Sequence, residues 1–546
     1  MASPQYPGNK DIFNVFLAAV PLMSFTYATV LNPTIASTPP MGFNNWARFM
    51  CNLNETLFTT TADAMVSKGL LAAGYNRLNL DDCWMQYSRA PNGSLQWNTT
   101  LFPHGIPWLA QYVQKRGFRL GIYENAGNMT CGGYPGSEGY EKLDAETFES
   151  WGIDYLKLDG CHVYADPGHT LQEKYKELYA LWHRELSQLS HPLVFSESAP
   201  AYFSGGTDFP VQQNKSDWYR VMDWVPLYGE LARHSNDIAV YGYYEASHYW
   251  PSVMNNYGYN LLLARYQQPG FYNDPDFIIP DWPELTLDEK KSQFALWASF
   301  SAPLIISAYV PDLSSDELAY LTNKDIIAVD QDPLGLQATL VSQNGGDDVL
   351  TKSLSNGDRL VTVLNRLNIP RSTLIPVERF GLNNGGPYVA KDLWTGTSKK
   401  LVDSMFVSLA PHATAIYRIS NVTDVIPTGM IFNTATLGCL TADDTTVTFT
   451  NSTALDEHVW RVSNGRMSSL SDESLCVSGR GGKLTLRACN KWDNSQQWEY
   501  YVSGNVVNVA TGQCLTQGHH EAGVAKCGDE LDSQVFGLPS GVKVIR

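Results

Sequence analysis

Gly152-Ile-Asp-Tyr-Leu-Lys-Leu-Asp159-Gly-Cys161 decides the fold, because its pattern occurs twice more upstream. Gly74-Tyr-Asn-Arg-Leu-Asn-Leu-Asp81-Asp82 and Gly117-Phe-Arg-Leu-Gly-Ile-Tyr-Glu124 have the same shape: a glycine opens a short apolar run and a carboxylate stands seven residues later. The glycines are 43 and 35 residues apart, the length of one strand-helix unit each. Acids at the same place in successive units would ring the C-terminal end of a parallel barrel, where barrel enzymes keep their reacting groups. The alternative is three buried strands that happen to end in acids.

The barrel pattern covers residues 38–325 of the 546-residue chain. Further strands are expected at Pro192-Leu-Val-Phe-Ser196, in a run ending near Asp223, at Pro269-Gly-Phe-Tyr-Asn-Asp-Pro-Asp276 and at Ala302-Pro-Leu-Ile-Ile-Ser307, with helices over 170–189 and 287–300 between them. From 326 to 420 the pattern shortens to alternating runs such as Arg359-Leu-Val-Thr-Val-Leu364, which predicts an antiparallel sheet domain. A linker with Pro427 spans 421–429. Residues 430–546 repeat internally: Trp460, Trp498 and Phe536 are spaced 38 apart, and each unit begins at a Cys pair of similar style, Cys439-Leu440, Cys476-Val477 and Cys514-Leu515. A second cysteine 13 residues on pairs Cys476 with Cys489 and Cys514 with Cys527, leaving Cys439 without a partner. The three units resemble the β-trefoil of ricin-B-type lectins with its Gln-x-Trp signature. That family usually carries an Asp after the Cys-Leu pair, where this chain has Thr441, Ser478 and Thr516. Weak glycan binding by the trefoil and a purely structural lobe both remain open.

Composition narrows the function. A net charge of −17 argues against nucleic-acid and anionic-membrane partners. Lys10 followed by an apolar run over 12–25 and Thr26-Tyr27-Ala28 predicts a signal peptide over residues 1–28, hence a secreted, extracellular protein. Asn-x-Ser/Thr sites at Asn54, Asn92, Asn98, Asn128, Asn214, Asn421 and Asn451 agree with that address. Nine cysteines in such a chain imply disulfides, and no Cys or His cluster has metal-ligand spacing, so no metal and no cofactor is expected.

Glycoside hydrolysis uses two carboxyl groups flanking the anomeric carbon, one attacking and one donating a proton. Asp159 is the candidate nucleophile, and Lys157, two residues earlier on the strand, points to the same side, where it either keeps a carboxylate ionised and holds a sugar hydroxyl or simply pairs with a buried acid.

Five motifs then appear in order: Pro40-Met-Gly-Phe-Asn-Asn-Trp46-Ala-Arg-Phe-Met-Cys51, Asn79-Leu-Asp-Asp-Cys83-Trp84, Tyr155-Leu-Lys-Leu-Asp159-Gly-Cys161, Tyr272-Asn-Asp-Pro-Asp276 and Asp330-Gln-Asp-Pro-Leu-Gly335. Together they resemble the family of retaining α-galactosidases and α-N-acetylgalactosaminidases over residues 38–420. The resemblance implies a (β/α)8 barrel followed by an antiparallel β-sandwich, Asp159 as nucleophile, and disulfides Cys51–Cys83 and Cys131–Cys161. It also implies that Trp46, Asp81, Asp82 and Lys157 hold the galactose ring. The family's acid/base lies in a Trp-Arg-x-x-x-Asp run; Trp218-Tyr-Arg220-Val-Met-Asp223 is its counterpart here, with a spacing of three instead of four. Asp223 is therefore the expected acid/base, with Asp276 as rival, and Arg220 the expected contact to the sugar's 2-substituent.

That substituent separates the two activities. Aligned on Ser196 and Pro200, Ser198 and Ala201 take the small pair that in the family leaves room for an acetamido group; a one-residue shift would bring Glu197 to the sugar instead. Alternation along the strand allows only one of Glu197 and Ser198 to face it. The expected activity is hydrolysis of terminal α-linked N-acetylgalactosamine, and possibly galactose, through a covalent glycosyl-Asp intermediate. The alternatives are an α-galactosidase acting on galacto-oligosaccharides and galactomannan, and a non-catalytic carbohydrate-binding protein.

Overall fold

The computed structural model describes residues 35–205, 215–239, 249–518, 522–528 and 531–546. The expected signal peptide (1–28) and the Asn214 site lie outside them. Eight parallel strands form the first unit: β1 (Met41–Asn44), β2 (Arg77–Asn79), β3 (Arg119–Asn125), β4 (Ile153–Asp159), β5 (Val194–Glu197), β6 (Leu231–Arg233), β7 (Tyr272–Asp274) and β8 (Leu304–Ile306). They pair in sequence order, β8 returns to β1, and a parallel bridge between Ile278 and Ile306 joins the ends into a barrel.

Helices lie between the strands, and their starts are written in the sequence. Leu171–Leu186 opens on a capping box of Thr170 and Glu173, and Leu287–Phe300 on one of Thr286 and Glu289. In each, the hydroxyl and carboxylate satisfy backbone N–H groups that the helix's first turn leaves bare. Glycines at φ of +115°, +95° and +79° (Gly74, Gly117 and Gly152) precede β2, β3 and β4; the opening glycine of the threefold pattern is thus the turn that sends the chain back into the barrel.

The sixth strand departs from expectation. Residues around Asp223 are helical, Lys215–Trp224, and β6 lies further on. Trp218, Val221, Met222 and Val225 are all buried, a spacing of three and four that fits one helix face. The short β6 has too few residues to announce itself by alternation.

The second unit is a six-stranded antiparallel sheet within residues 339–420, faced by a two-stranded ribbon of Arg371–Pro376 and Ser404–Leu409. Alternation in Arg359–Asn365 sends Val361 and Val363 to the core shared with the ribbon, and Leu360 and Leu364 to the barrel's core. The sheet is therefore buried on both faces. The last unit gathers Trp460, Trp498 and Phe536 into one core. Trp460 Nε1 donates to Leu440 O (2.8 Å) and Trp498 Nε1 to Val477 O (3.1 Å), the same contact one lobe apart. The disulfides are Cys51–Cys83, Cys131–Cys161, Cys476–Cys489 and Cys514–Cys527; Cys439 is buried and unbridged. Of the Asn-x-Ser/Thr sites, Asn54, Asn92, Asn128, Asn421 and Asn451 are exposed and Asn98 is half-buried. Among the described residues no helix is long and apolar enough to cross a membrane.

The trefoil is bonded to the barrel. The Tyr219 and Thr434 hydroxyls meet at 2.6 Å, and Arg265 Nε donates to Val502 O at 2.8 Å. Tyr219→Phe and Thr434→Val should each cost about 1 kcal/mol. In a double-mutant cycle followed by denaturant unfolding the two should be non-additive by at least about 0.5 kcal/mol; additive losses would mean that the pair does not couple the units.

Candidate active site

A cleft of about 170 Å³ opens at the C-terminal ends of the barrel strands. Its floor is a line of neighbours across three strands. Asp81 follows β2, Tyr123 is on β3 and Lys157 on β4, and Tyr123 and Lys157 are register partners. Lys157 Nζ donates to Asp81 Oδ2 at 2.7 Å, and Asn44 Nδ2 donates to the same oxygen at 2.8 Å. Lys157 is thus the partner of a buried acid and also lines the cleft. Burial alone would lower its ammonium pKa, but Asp81 and Asp159 override that and hold it above the usual range. Asp82 accepts from Cys83 N (2.6 Å) and Gly132 N (2.7 Å). Burial raises its pKa to about 6, against those backbone bonds.

The threefold pattern placed Glu124 in this ring, and the structure places Tyr123 there. A register shift of β3 against β4 between Leu120 and Gly121 inserts Asp154 as an extra residue, so equal spacing from the glycine reaches opposite faces. Glu124 is wholly buried behind the strand, where burial and Asp144 raise its carboxyl well above the usual range.

Asp159 ends β4. Its Oδ1 accepts from the Tyr202 hydroxyl (2.6 Å) and Gly160 N (2.9 Å), and its Oδ2 from the Tyr123 hydroxyl (3.2 Å). Such charge-assisted bonds fix the carboxylate's orientation. A Cβ on Gly160 would lie 2.5 Å from Tyr175 and 2.9 Å from Tyr202, so only glycine lets these rings close around the strand end. The Cys131–Cys161 disulfide lines the cleft beside it.

One wall comes from the 3₁₀ turn Ala199–Phe203 after β5. Ser198, Ala201 and Tyr202 face the cleft, while Glu197 points the other way, so the side chains follow the Ser198 register. Glu197 is completely buried and raised well above the carboxylate range by burial and by Glu230. Ser198 Oγ is buried and has no hydrogen-bond partner within the protein.

The neighbouring wall, after β6, corrects the sequence reading. Asp223 lies on the helix Lys215–Trp224, outside the cleft, where its Oδ1 accepts from the Tyr266 hydroxyl at 3.0 Å. Arg220 stands on the same helix, half-exposed and 3.6 Å from Asp217. Neither reaches the cleft, because helical periodicity turns both away from the strand ends. The wall is built instead by Arg233-His-Ser-Asn-Asp237, directly after β6. Arg233 Nη2 donates to Asp237 Oδ1 (2.9 Å), Arg233 Nη1 lies 3.0 Å from Asp276 Oδ1, and Trp46 Nε1 donates to Asp237 Oδ2 (3.1 Å). Burial would raise the Asp237 pKa, but Arg233 and Lys157, with the bonds from Arg233 and Trp46, leave it below the usual carboxylate range. Asp276, the rival, is buried behind Arg233 with its Oδ2 on Ile238 N (2.6 Å), and burial raises it to about 7. The signal for this wall was present: Arg233 and Asp237 have the spacing of four that the Trp218 run lacks. Sequence reading also missed Tyr123 and Tyr202, which no local pattern marks.

The cleft therefore brings together Trp46, Asp81, Asp82, Lys157, Asp159, Ser198 and Ala201, and adds Tyr123, Tyr202, Arg233 and Asp237. Two carboxylates lining one barrel-end cleft, Asp159 and Asp237, are the groups that hydrolysis at an anomeric carbon needs. Among the described residues no group of His, Cys, Asp and Glu is placed to hold a metal ion. A larger cavity of about 570 Å³ in the trefoil is lined by one carboxylate, Glu499, and lacks such a pair.

Comparison with known proteins gives the family. Residues 38–332 match the family described as alpha galactosidase A, 344–419 the alpha galactosidase C-terminal beta sandwich domain, and 427–536 the ricin-type beta-trefoil lectin domain. The chain belongs to the alpha-galactosidase A family. Over 535 residues it is 57% identical to an alpha-galactosidase A of Aspergillus niger, covering 97% of this chain and 96% of the relative. An alpha-galactosidase 2 of Arabidopsis thaliana is 34% identical over 398 residues, 72% of this chain and 93% of that protein. Among solved structures, alpha-galactosidase I from Mortierella vinacea superposes with a TM-score of 0.64 at 25% identity, over 72% of this chain and 99% of its own. The protein is thus a glycoside hydrolase of the α-galactosidase type, with a carbohydrate substrate.

In the trefoil, the hydroxyls at the three usual acidic positions are used internally: Thr441 with Thr450, Ser478 with Ser495, and Thr516 with Gln534 and Cys514 O. None of these positions presents a carboxylate to a sugar.

The two acid candidates separate experimentally. Asp237→Asn should lower kcat/KM on an α-galactoside by about 10²–10⁴-fold, whereas Asp223→Asn should leave it within about threefold, as expected of a residue outside the cleft. The reverse ranking would restore Asp223.

Proposed function

We propose that the chain is a retaining exo-glycosidase that removes one terminal α-galactosyl unit by double displacement. The observation carrying this reading is a pair of carboxylates, Asp159 and Asp237, lining one barrel-end cleft. Asp159 is held by two phenols and a backbone N–H, and Asp237 by Arg233 and Trp46. In the first step Asp159 attacks the anomeric carbon while Asp237, protonated, gives its proton to the departing glycosidic oxygen. In the second, Asp237 takes a proton from water, which attacks the same carbon and releases Asp159. Lys157, Asp81 and Asp82 hold ring hydroxyls, since a carboxylate accepts from two vicinal hydroxyls at once. An extracellular location is supported by the N-terminal apolar run expected to be a signal peptide and by the Asn-x-Ser/Thr sites.

Galactose is the principal substrate in this reading, because the relatives that match over nearly the whole chain are named alpha-galactosidases. Acceptance of N-acetylgalactosamine is supported by a different observation: Ser198 and Ala201 are small, face the cleft, and Ser198 Oγ is unpaired within the protein. The wild type should hydrolyse p-nitrophenyl α-galactoside with the higher kcat/KM and α-N-acetylgalactosaminide measurably. Ser198→Glu with Ala201→Leu should abolish the second activity and spare the first. If the wild type prefers the acetamido sugar, the order of substrates reverses; if the double variant changes nothing, this wall does not read the 2-substituent. Asp159→Asn should abolish turnover of both, and normal activity would remove Asp159 from the mechanism.

The general acid must be protonated, so activity falls as pH rises through the pKa of Asp237. In the open cleft that pKa is lowered. A bound sugar displaces water, strengthens desolvation and raises it. The alkaline limb of kcat should therefore lie at higher pH than that of kcat/KM, which reports the free enzyme. Coincident limbs would argue against Asp237 as the acid.

A further inference from the structure

The rim of the cleft carries an aromatic stack that the reaction at Asp159 does not use. Tyr87 and Tyr134 lie face to face with ring centroids 4.6 Å apart and planes within 13°. Tyr87 is 74% exposed, so this stack fills no core. It is nevertheless held firmly. Arg89, two residues from Tyr87, donates to both oxygens of Asp144 at 2.6 Å and to Gly136 O, two residues from Tyr134, at 2.8 Å. One guanidinium thus clamps both loops, and a bidentate ion pair supplies directional as well as electrostatic restraint. On the inner side Tyr134 N donates to Thr130 Oγ1 (3.1 Å) and Gly132 N to Asp82 Oδ2 (2.7 Å). A Cβ on Gly132 would lie 3.0 Å from Asp82 Oδ2 and 3.2 Å from Tyr134 Cε2, so the ring's edge stands beside the cleft's own carboxylate. The Cys131–Cys161 bridge, part of the cleft wall, ties the same loop to the end of β4.

We propose that the Tyr87–Tyr134 stack is a second carbohydrate subsite, taking a pyranose ring of the aglycone that the terminal galactose is attached to. This rests on the function proposed above. The cleft, at about 170 Å³, is smaller than the roughly 300–1,000 Å³ of pockets that enclose larger ligands. The remainder of an oligosaccharide then lies on the rim, where an exposed, pre-ordered aromatic face continuous with the cleft meets the apolar C–H face of a pyranose ring. Rings with an apolar body and a polar tip suit such a half-wet contact, and holding them in advance reduces the ordering cost of binding.

The test compares kcat/KM of the wild type, Tyr87→Ala and Tyr87→Trp on methyl α-galactoside and on an α-galactosyl mannotriose. Tyr87→Ala should lower the value on the oligosaccharide about five- to tenfold, through KM, and leave methyl α-galactoside within about twofold, while Tyr87→Trp retains both. Loss on both substrates alike, or on neither, overturns the subsite. Should the wild type cleave no α-galactoside, the function fails and calorimetry with mannotriose alone decides the subsite. Binding that Tyr87→Ala loses supports it, and equal or absent heats for the two proteins overturn it.

Discussion

The buried ion pair between Lys157 and Asp81 is the contact around which the barrel mouth is organised. It spans β4 to the end of β2 over Tyr123, and Asn44 brings β1 to the same carboxylate oxygen. Taking two charges out of water costs several kcal/mol per ion, and their attraction compensates only when geometry is good and the remaining lone pairs are used. Replacing the pair with apolar residues would serve the fold as well. Its retention makes sense as a fixed array of charge aimed into an open cleft, with Asp159 two residues from Lys157 on the same face of β4.

The same logic runs around the mouth. Arg233 carries Asp237 on one side and Asp276 on the other, so one cation orients the acid wall and neutralises a carboxylate buried behind it. Asp276 sits at a positive φ of 77°, rare for a residue with a side chain, and this conformation presents its carboxylate to both Arg233 and Ile238 N. The wall is also braced from outside. Trp218 Nε1 donates to His234 O inside the Arg233–Asp237 segment, and the neighbouring Tyr219 reaches Thr434 of the trefoil. The helix that carries Asp223 and Arg220 therefore supports the acid wall from behind.

What was legible in the sequence follows from the length scale of each signal. The glycine-to-acid runs, the 38-residue repeat and the helical periodicity over 170–189 and 287–300 are local, and the barrel, the trefoil and those two helices were legible from them. Strand alternation allowed only one of Glu197 and Ser198 to face the sugar, the register on Ser196 and Pro200 chose Ser198, and the structure keeps that register. Glu124 was misplaced because a single extra residue, Asp154, shifts one strand against its neighbour and reverses which side chain faces in; nothing in either strand alone records that. Asp237 was missed because a nearby helix offers tryptophan, arginine and aspartate in nearly the expected order, while β6 is three residues long. Spacing was the better guide there than the presence of tryptophan, since an arginine four residues before the acid lets the chain turn back and the two side chains meet. Tyr123 and Tyr202 converge on Asp159 only in three dimensions.

Ser198 shows how the cleft encodes specificity without bulk. A buried hydroxyl with no partner costs roughly 1–3 kcal/mol relative to one that is satisfied. A ligand presenting a complementary polar group there recovers that loss, and one lacking it leaves the group as it was. The methyl side chain of Ala201 beside it excludes little. In the function proposed above, this wall reads the sugar's 2-substituent by an unmet hydrogen bond and leaves volume beside it. In the recognition proposed above, the strict part falls to Asp81, Asp82 and Lys157, whose charges take hydroxyls in fixed places, and the permissive part to the turn after β5.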